Sequence, residues 1–420
     1  KDLRGRTSRN RAHDMRWRLP AARSRSNPSA PWLALLLLAT RSSEAAQMQV
    51  GSTDGSYVKE VEVNATNKDS DGGASYVMGM RAHYLLGRGA FDSSDNWIDS
   101  SDPWKMKIGT AEESLLDAEG RWSDHPLRFD CRRAEEYRKN FTSGNSVHYF
   151  MDAIAVCEVS PAEEMIISFG DRLVDCATCF VKSRLVPQSS DTSRAGRGAL
   201  LPLNTRRHWG FTLAEALYSR PAHLKAKLID DPYAWSKKKP VLFWRGSTTG
   251  EGLRRNYVDA AAGLVRNGTA DIDIKFNGLV HGKCKPHCED WLGGAHIRKE
   301  NYDPQHFSRS EMLKYRYLFS MEGNDVATNL KWAMASNSVV VMPPPTRETW
   351  LMEGLLQPYV HYVPIHRPDE LVAVKTWMDE NEELCRTIVR NANAWIDDIL
   401  SDFAGPIKLY PPRLGVRRRK

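Results

Sequence analysis

Two stretches of the chain contain the residue types that bind phosphate groups. The first follows a predicted strand and consists of Arg245, Gly246, Ser247, Thr248, Thr249 and Gly250. Glycines let backbone amides approach an anion, and the N-terminus of the following helix favours negative charge. Arg254 and Arg255 stand in the first turn of that helix, where cations oppose the helix dipole unless an anion is bound. The stretch matches neither the P-loop nor the G-x-G-x-x-G pattern, so a tight turn with surface arginines explains it equally well.

The second stretch also runs from a predicted strand into a predicted helix. Its candidate ligand-binding residues are Glu322, Gly323, Asn324, Asp325, Ala327, Thr328, Asn329 and Lys331. Asp325 is a natural N-cap, because its side chain can accept from the first free amides of a helix. An ordinary capped helix therefore explains the pattern without a ligand.

A carboxylate stands at the end of an apolar strand predicted over 164–170. This residue, Asp171, follows Gly170 and is placed to accept a proton from a bound hydroxyl group. An aspartate that stabilises a turn is the simpler interpretation of the local sequence.

Several His and Cys residues have the spacing of metal ligands, namely His281, Cys284, His287, Cys288, Cys176 and Cys179. In a secreted chain disulfides explain the cysteines better than a metal does. The Asp271-Ile-Asp273 run resembles a metal-binding Asp-x-Asp motif, but it alternates like a strand. We therefore predict no metal site.

The elements that carry these residues alternate between strand and helix. Strands are predicted over 241–244, 271–276, 317–321, 338–342 and 360–365, and helices over 131–140, 253–266, 325–336, 349–356, 368–379 and 381–400. A further short helix over 311–316 has Ser310 as its predicted cap. This alternation is typical of a parallel, doubly wound α/β sheet, whose ligands bind at the carboxyl ends of the strands.

The charge of the chain is concentrated at its two ends. The 420 residues have a net charge of +7, but residues 1–46 hold ten Lys or Arg against three acidic residues, and the last eight residues hold five more. The body is therefore mildly acidic and a poor match to nucleic acid. A mean hydropathy of −0.52 excludes a protein with many membrane spans.

The N-terminal region has the order of a secretory signal: a basic stretch, the apolar run 32–39, then small residues around Ala45. We predict a signal peptide or short anchor over 1–46, a flexible stem over 47–75 and a basic tail over 401–420. Seven cysteines and three sequons, at Asn64, Asn140 and Asn267, fit a chain in the lumen of the endoplasmic reticulum or Golgi, or a secreted one.

Five blocks in fixed order resemble glycosyltransferase family 90, which includes protein O-glucosyltransferases and capsule-associated xylosyltransferases. The blocks are 244–250, 314–320, 322–332, 336–340 and 358–364. The resemblance is strong over about 160–400 and implies a GT-B fold, with two Rossmann-like domains facing a central cleft. It implies an amino-terminal acceptor-side domain, here 76–235, and a carboxyl-terminal domain that binds a UDP-sugar, here 236–400.

The resemblance also implies inversion at the anomeric carbon with a carboxylate base on the amino-terminal domain. The family's strand–Asp motif matches 168–171, which makes Asp171 the candidate base. Protein O-glucosyltransferases have an arginine where Asn329 stands, so the acceptor does not carry over. The block at Arg207, His208 and Trp209 resembles one that faces the cleft, without an assigned role.

We therefore predict transfer of xylose or glucose from a UDP-sugar to a hydroxyl of a protein or glycan in the secretory pathway. No cofactor is required, because the loops at 245–250 and 322–331 with Arg254 and Arg255 supply the positive potential for the leaving diphosphate. No nucleic acid partner is expected, and a membrane is involved only if the leader stays uncleaved. A nucleotide-sugar hydrolase and a nucleotide-sugar-binding pseudoenzyme are the alternatives.

Overall fold

A sheet of five parallel strands dominates the carboxyl-terminal half of the described chain. The computed structural model describes residues 126–140, 147–159, 164–171, 179–186, 198–250, 252–268, 271–280 and 297–408, with 81, 85, 109–110 and 291–292. The strands of this sheet, here called the second sheet, are β7 (Lys239–Ser247), β8 (Ile272–Gly278), β11 (Tyr315–Phe319), β12 (Val339–Met342) and β14 (Val363–Pro364). Among the described residues, the short strands β9 (Trp291–Leu292) and β10 (Ile297–Arg298) pair only with each other. The strands of the second sheet lie in the order β14-β12-β11-β7-β8.

The burial of each strand follows its place in this sheet. The inner strand β12 reads Val-Val-Val-Met and is buried along its whole length, because helices cover both faces of a parallel sheet. The edge strand β8 instead alternates buried and partly exposed residues. The apolar stripe of the helix Leu253–Arg266, with Tyr257, Val258 and Ala261 buried, belongs to the same core as this sheet.

The direction of strand addition reverses between β7 and β11. The chain runs from β7 outward to β8 and then returns to the other side of β7 to form β11, β12 and β14. In open α/β sheets ligands bind beside such a reversal, outside the carboxyl ends of the strands. The ends of β7 and β11 are the places from which the two candidate loops leave.

The first sheet lies earlier in the chain and has mixed strand directions. It contains β1 (Gly109–Thr110), β2 (Leu127–Asp130), β3 (Glu164–Ser168), β4 (Phe180–Val181) and β6 (Ala199–Leu200), in the order β1-β2-β3-β4-β6. The β2–β3 pair is antiparallel and the other pairs are parallel. The α/β class predicted from the sequence is confirmed by the two sheets and their helices.

The described helices vary from one turn to twenty residues. They are Ala134–Asn140, Val147–Val159, Thr205–Trp209, Leu213–Tyr218, Pro221–Leu228, Leu253–Arg266, Arg309–Met312, Leu330–Met334, Leu371–Glu380, Glu382–Ser401 and Gly405–Lys408. Short 3-10 turns stand at Cys131–Arg133, Trp235–Lys237, Lys299–Asn301, Glu353–Leu355 and Pro368–Glu370. None of the helices in the described residues is long and apolar enough to cross a membrane.

Three helix predictions are wrong in extent or kind. The helix predicted over 325–336 is only Leu330–Met334. The helix predicted over 349–356 is replaced by a 3-10 turn at Glu353–Leu355, after the strand β13 (Arg347–Glu348). The short helix near 311 is Arg309–Met312, and Ser308 rather than Ser310 caps it, in a capping box with Glu311.

A junction joins the two sheets through residues 182–186 and 346–348. The strand β5 (Arg184–Leu185) pairs antiparallel with β13, and Val186 N donates to Thr346 O at 2.9 Å. Arg184 Nε also bonds Glu348 Oε1 at 2.7 Å, with both side chains buried. Removing one partner of such a buried ion pair leaves the other charge uncompensated, which strongly lowers the stability of the folded protein.

The cysteines and the ends of the chain bear on further predictions made from the sequence. Cys131 and Cys157 form a disulfide, Cys179 is also disulfide-bonded, and Cys385 is a free buried thiol. The chain stays packed as far as Lys408, with Phe403 and Ile407 buried. The predicted leader, the stem, residues 409–420 and the cluster at 281–288 lie outside the described residues. The predicted domain boundary at 235/236 stays a prediction, since the described residues of both sheets fall within one compact unit.

Candidate active site

The first loop, residues 245–250, begins within β7, which extends to Ser247 rather than ending at Trp244 as predicted. This loop lies against the second loop, residues 322–329. Gly250 N donates to Asn324 Oδ1 at 3.2 Å. Gly250 has φ of +76°, and a Cβ atom there would come within 2.8 Å of Gly323 O. The backbones of the two loops therefore touch, which a residue with a side chain would prevent.

Most side chains of the first loop are bonded within the protein. Arg245 is buried, and its guanidinium bonds Asp273 Oδ2 at 2.9 Å and Asp303 Oδ2 at 2.9 Å. Thr248 Oγ1 donates to Val280 O and accepts from Val280 N, each at 2.9 Å. The Asp271-Ile-Asp273 run leads into a strand, β8 from Ile272, as its alternation predicted, and its Asp273 binds Arg245.

The remaining residues of the first loop, Gly246, Ser247 and Thr249, contact neighbouring side chains. Gly246 lies against the Trp244 ring, which a Cβ atom would meet at 2.3 Å. Ser247 O accepts from Arg254 Nη1 at 3.0 Å, and Thr249 Oγ1 accepts from the same nitrogen at 2.7 Å. Arg254 thus holds both Ser247 and Thr249 of the loop in place.

Arg254 and Arg255 are neighbours in sequence but have opposite environments. Arg254 is buried and also donates to Glu322 O at 3.0 Å and to Met321 O at 2.9 Å, so it ties the first loop to the second. Burial lowers the pKa of Arg254 to about 10, which leaves it charged at neutral pH. Arg255 is exposed on the same helical turn.

The second loop directs its first side chains to different parts of the protein. The Glu322 carboxylate accepts from Thr346 N at 2.8 Å and from Arg347 N at 3.0 Å, and its burial raises its pKa. Asn324 is exposed. Asp325 is buried and binds Lys182 Nζ at 2.5 Å, so it does not cap a helix as predicted.

The end of the second loop leads into the helix Leu330–Met334. Ala327 is buried and Thr328 is exposed. Asn329 Nδ2 donates to Phe319 O at 3.0 Å, and its Oδ1 accepts from Ser320 Oγ at 3.0 Å. Lys331 is fully buried and binds Glu353 Oε1 at 3.0 Å. Asn329 and Lys331 therefore anchor the end of the second loop through bonds inside the protein.

Asp171 comes from the first sheet and meets the second loop. Gly170, with φ of +93°, turns the chain after β3 and leaves the Asp171 side chain 36% exposed. The Asp171 carboxylate accepts hydrogen bonds from Lys182 Nζ and from the Asn324 side chain. A partly exposed carboxylate thus stands directly beside the second loop.

The charge of Asp171 is stabilised by its neighbours. Burial acts to raise the pKa of Asp171, but the charge and hydrogen bond of Lys182, helped by Arg207, outweigh it and bring the pKa below its ordinary value. The carboxylate is therefore ionised at neutral pH, the state that a general base needs.

Next to these charges lies an uncharged imidazole. Among the described residues, neither ring nitrogen of the buried His208 has a hydrogen-bond partner. Burial and the charges of Lys331 and Lys182 hold the pKa of His208 well below its ordinary value. Asp152 fixes the helix Thr205–Trp209 that carries it, because Asp152 accepts from Thr205 N at 2.8 Å and from Leu213 N at 3.0 Å.

Comparison with known proteins gives the family. The family model described as Glycosyl transferase family 90 matches residues 208–403. The O-glucosyltransferase LpsA of Dichelobacter nodosus is 33% identical over 264 residues, which is 61% of this chain and 67% of that protein. The uncharacterized protein 179R of Invertebrate iridescent virus 6 is 26% identical over 187 residues, or 40% of this chain and 16% of that protein.

The chain belongs to glycosyltransferase family 90, as the five blocks predicted. It is a glycosyltransferase, and the site therefore has to accommodate a sugar donor and an acceptor. The matched region contains both candidate loops, while Asp171 lies before it.

The structure brings Asp171, Asn324, Asp325 and Gly250 together, while it places Arg245 and Lys331 in buried ion pairs and Arg255 on the surface. Sequence reasoning missed Lys182. Its signal was a lone lysine directly after the buried pair Phe180–Val181, because a cation there needs carboxylate partners. No group of His, Cys, Asp and Glu in the described residues is arranged to hold a metal ion.

Proposed function

We propose that this glycosyltransferase transfers xylose or glucose from a UDP-sugar to a hydroxyl group, with inversion at the anomeric carbon and with Asp171 as the base. The observation that carries the proposal is the meeting of three segments: the Gly250 turn, the second loop at Asn324, and Asp171. The name of the LpsA relative, an O-glucosyltransferase, favours glucose.

In the proposed reaction the acceptor oxygen forms a bond to the anomeric carbon as the bond to the UDP oxygen breaks. Asp171 takes the hydroxyl proton on the face opposite UDP, which is the role of a general base. The leaving diphosphate gains negative charge, and the N-terminus of the helix Leu253–Arg266 with the Arg255 cation would stabilise it. This chemistry requires no metal or other cofactor.

The surroundings of this reaction are also part of the proposal. The two sheets would form the two domains of a GT-B fold, with the acceptor on the first-sheet side of the cleft. The disulfide between Cys131 and Cys157 supports an oxidising compartment, since such bonds persist there. We propose the secretory pathway as that compartment and a protein or a glycan as the acceptor.

The base assignment is tested with Asp171→Asn. We expect transfer to fall by about 10²- to 10⁴-fold, the usual contribution of a general base, with the dissociation constant of UDP unchanged. Asp397→Asn is the control, because Asp397 lies far from Asp171 in the sequence and forms an exposed ion pair with Lys225. Transfer by Asp171→Asn at the wild-type rate would remove Asp171 from the mechanism.

The donor is tested by measuring UDP release from a panel of UDP-sugars, with and without a chelator. Release from UDP-glucose or UDP-xylose that a chelator leaves unchanged is the expected result. Release that is as fast without acceptor as with it identifies a hydrolase instead, and UDP binding without any turnover identifies a pseudoenzyme.

A further inference from the structure

One lysine connects the proposed base to the second loop. Lys182 directly follows β4, and only 4% of its side chain is exposed. Its ammonium group bonds the Asp171 carboxylate, and it also bonds Asp325 Oδ2 at 2.5 Å. Ser183 Oγ donates to the same Asp325 oxygen at 3.4 Å. A single buried cation is thus shared by two carboxylates from different sheets.

This arrangement balances two opposing effects on Asp171. Without Lys182, Asp171 and Asp325 would be neighbouring carboxylates with no cation between them, and like charges at close range resist joint ionisation. With Lys182 wholly committed to Asp171, the carboxylate would be a weak base, since a paired anion holds its charge tightly. Asp325 binds the same ammonium group and so weakens the hold of Lys182 on Asp171.

We propose that Lys182 is a positioning residue for catalysis, and that it links the second loop to Asp171 by dividing its ammonium group between Asp171 and Asp325. This inference rests on the proposed role of Asp171 as base. Lys182 holds the carboxylate in its ionised state beside Asn324, and Asp325 limits how firmly Lys182 holds it.

The other groups that act on Asp171 are few among the described residues. Arg207, from the helix Thr205–Trp209, adds positive charge, and Arg347 Nη1 donates to the backbone oxygen of Asp171 at 3.4 Å. Tyr149, from the helix Val147–Val159, is neutral, because its burial raises its pKa and the nearby Lys182 only partly offsets this. Asn324 donates a hydrogen bond, and His208 is uncharged. Lys182 is therefore the cation that acts most strongly on Asp171, and Asp325 is the carboxylate that shares it.

The test compares pH profiles of kcat/KM and kcat for Lys182→Met and Asp325→Asn, with Lys182→Arg as the charge-conserving control. Lys182→Met removes the cation, so the acidic limb should move to higher pH by about one unit or more. Asp325→Asn removes the competing anion, so the limb should move to lower pH, and kcat on the plateau should fall. Lys182→Arg should return the limb towards its wild-type position.

Opposite shifts of the acidic limb in Lys182→Met and Asp325→Asn distinguish this role from a structural one. A structural role would lower the rate in both variants without moving the acidic limb. If Lys182→Met fails to fold, Asp325→Asn still decides, because it leaves Lys182 paired with Asp171. An unmoved limb in the active variants overturns the inference. Asp171→Asn separates this result from the proposed function: if it is inactive while the limb stays fixed, only the role of Lys182 is lost.

Discussion

Two adjacent arginines show how burial divides roles between neighbouring residues. Both follow the first loop, and their types alone predict two phosphate ligands. The Arg254 guanidinium instead bonds the carbonyl oxygens of Ser247, Met321 and Glu322, while Arg255 is exposed. Arg254 therefore shapes the loops, and of the two arginines only Arg255 stays our proposed phosphate ligand.

Substituting each arginine by alanine should separate these roles. Arg254→Ala leaves three carbonyl oxygens without their donor, so the free energy of unfolding should fall by about 2–4 kcal/mol. Arg255→Ala should change stability by less than about 0.5 kcal/mol and weaken UDP binding. Denaturant unfolding and calorimetric titration with UDP measure the two effects. Unchanged UDP affinity in Arg255→Ala would contradict its phosphate role, and an unchanged stability of Arg254→Ala would contradict the bracing role.

At the scale of elements, the site depends on how closely two loops approach each other. They leave the carboxyl ends of β7 and β11, the neighbouring strands between which the direction of strand addition reverses. Their contact at Gly250 and Gly323 leaves no room for a methyl group at Gly250, and in the proposed function this contact lets both loops face one ligand.

Gly250→Ala should therefore weaken UDP binding by about tenfold or more, equivalent to at least ~1.4 kcal/mol. Gly252→Ala is the matched control, because Gly252 has a similar φ of +89° but no atom within 4 Å of an added Cβ. Both variants place alanine at a positive φ, which strains the backbone by about 1–3 kcal/mol, and only Gly250→Ala also separates the loops. Equal UDP affinity in the two variants would show that the close approach is irrelevant to binding.

Periodicity and capping signals predicted the strands of the second sheet and its long helices. They did not predict the late start of the helix at Leu330, because Asp325 is drawn to Lys182, a residue 143 positions earlier in the chain. Likewise, the helix expected over 349–356 is only a 3-10 turn at Glu353–Leu355, in a segment that directly follows the pairing of β13 with β5. Both errors come from contacts between the two halves of the chain, which local sequence does not encode.

At the scale of the molecule, the two sheets are held together by buried charges. Arg184 donates to Glu348 and also to Leu85 O at 3.2 Å and Gly198 O at 3.0 Å. The candidate loops and Asp171 follow strands of different sheets, so their closeness depends on contacts between the sheets such as this junction. Sequence reasoning identified residues on both sides of the site but not the junction that aligns them.

Glu348→Ala should lower the free energy of unfolding by about 3–5 kcal/mol, because it leaves the Arg184 charge buried without its carboxylate. Glu348→Gln keeps an acceptor for Arg184 Nε and should cost about 1–3 kcal/mol. Lys225→Ala, which breaks the exposed pair with Asp397, should cost less than about 1 kcal/mol. Chemical denaturation gives the order, and equal losses in Glu348→Ala and Lys225→Ala would show that burial adds nothing to the junction.

The junction also restricts how this chain can be recombined with its relatives. A graft that replaces the first-sheet half alone sets a foreign segment 182–186 against the native segment 346–348, and Asp325 and Glu348 then depend on cations that the donor protein has to provide at the same positions. A recombination boundary placed at 235/236 would cut the molecule between partners. Chimaeras that carry 179–186 and 322–353 from the same parent keep both buried charge pairs, and libraries of such hybrids should yield far more folded members than libraries divided at the midpoint.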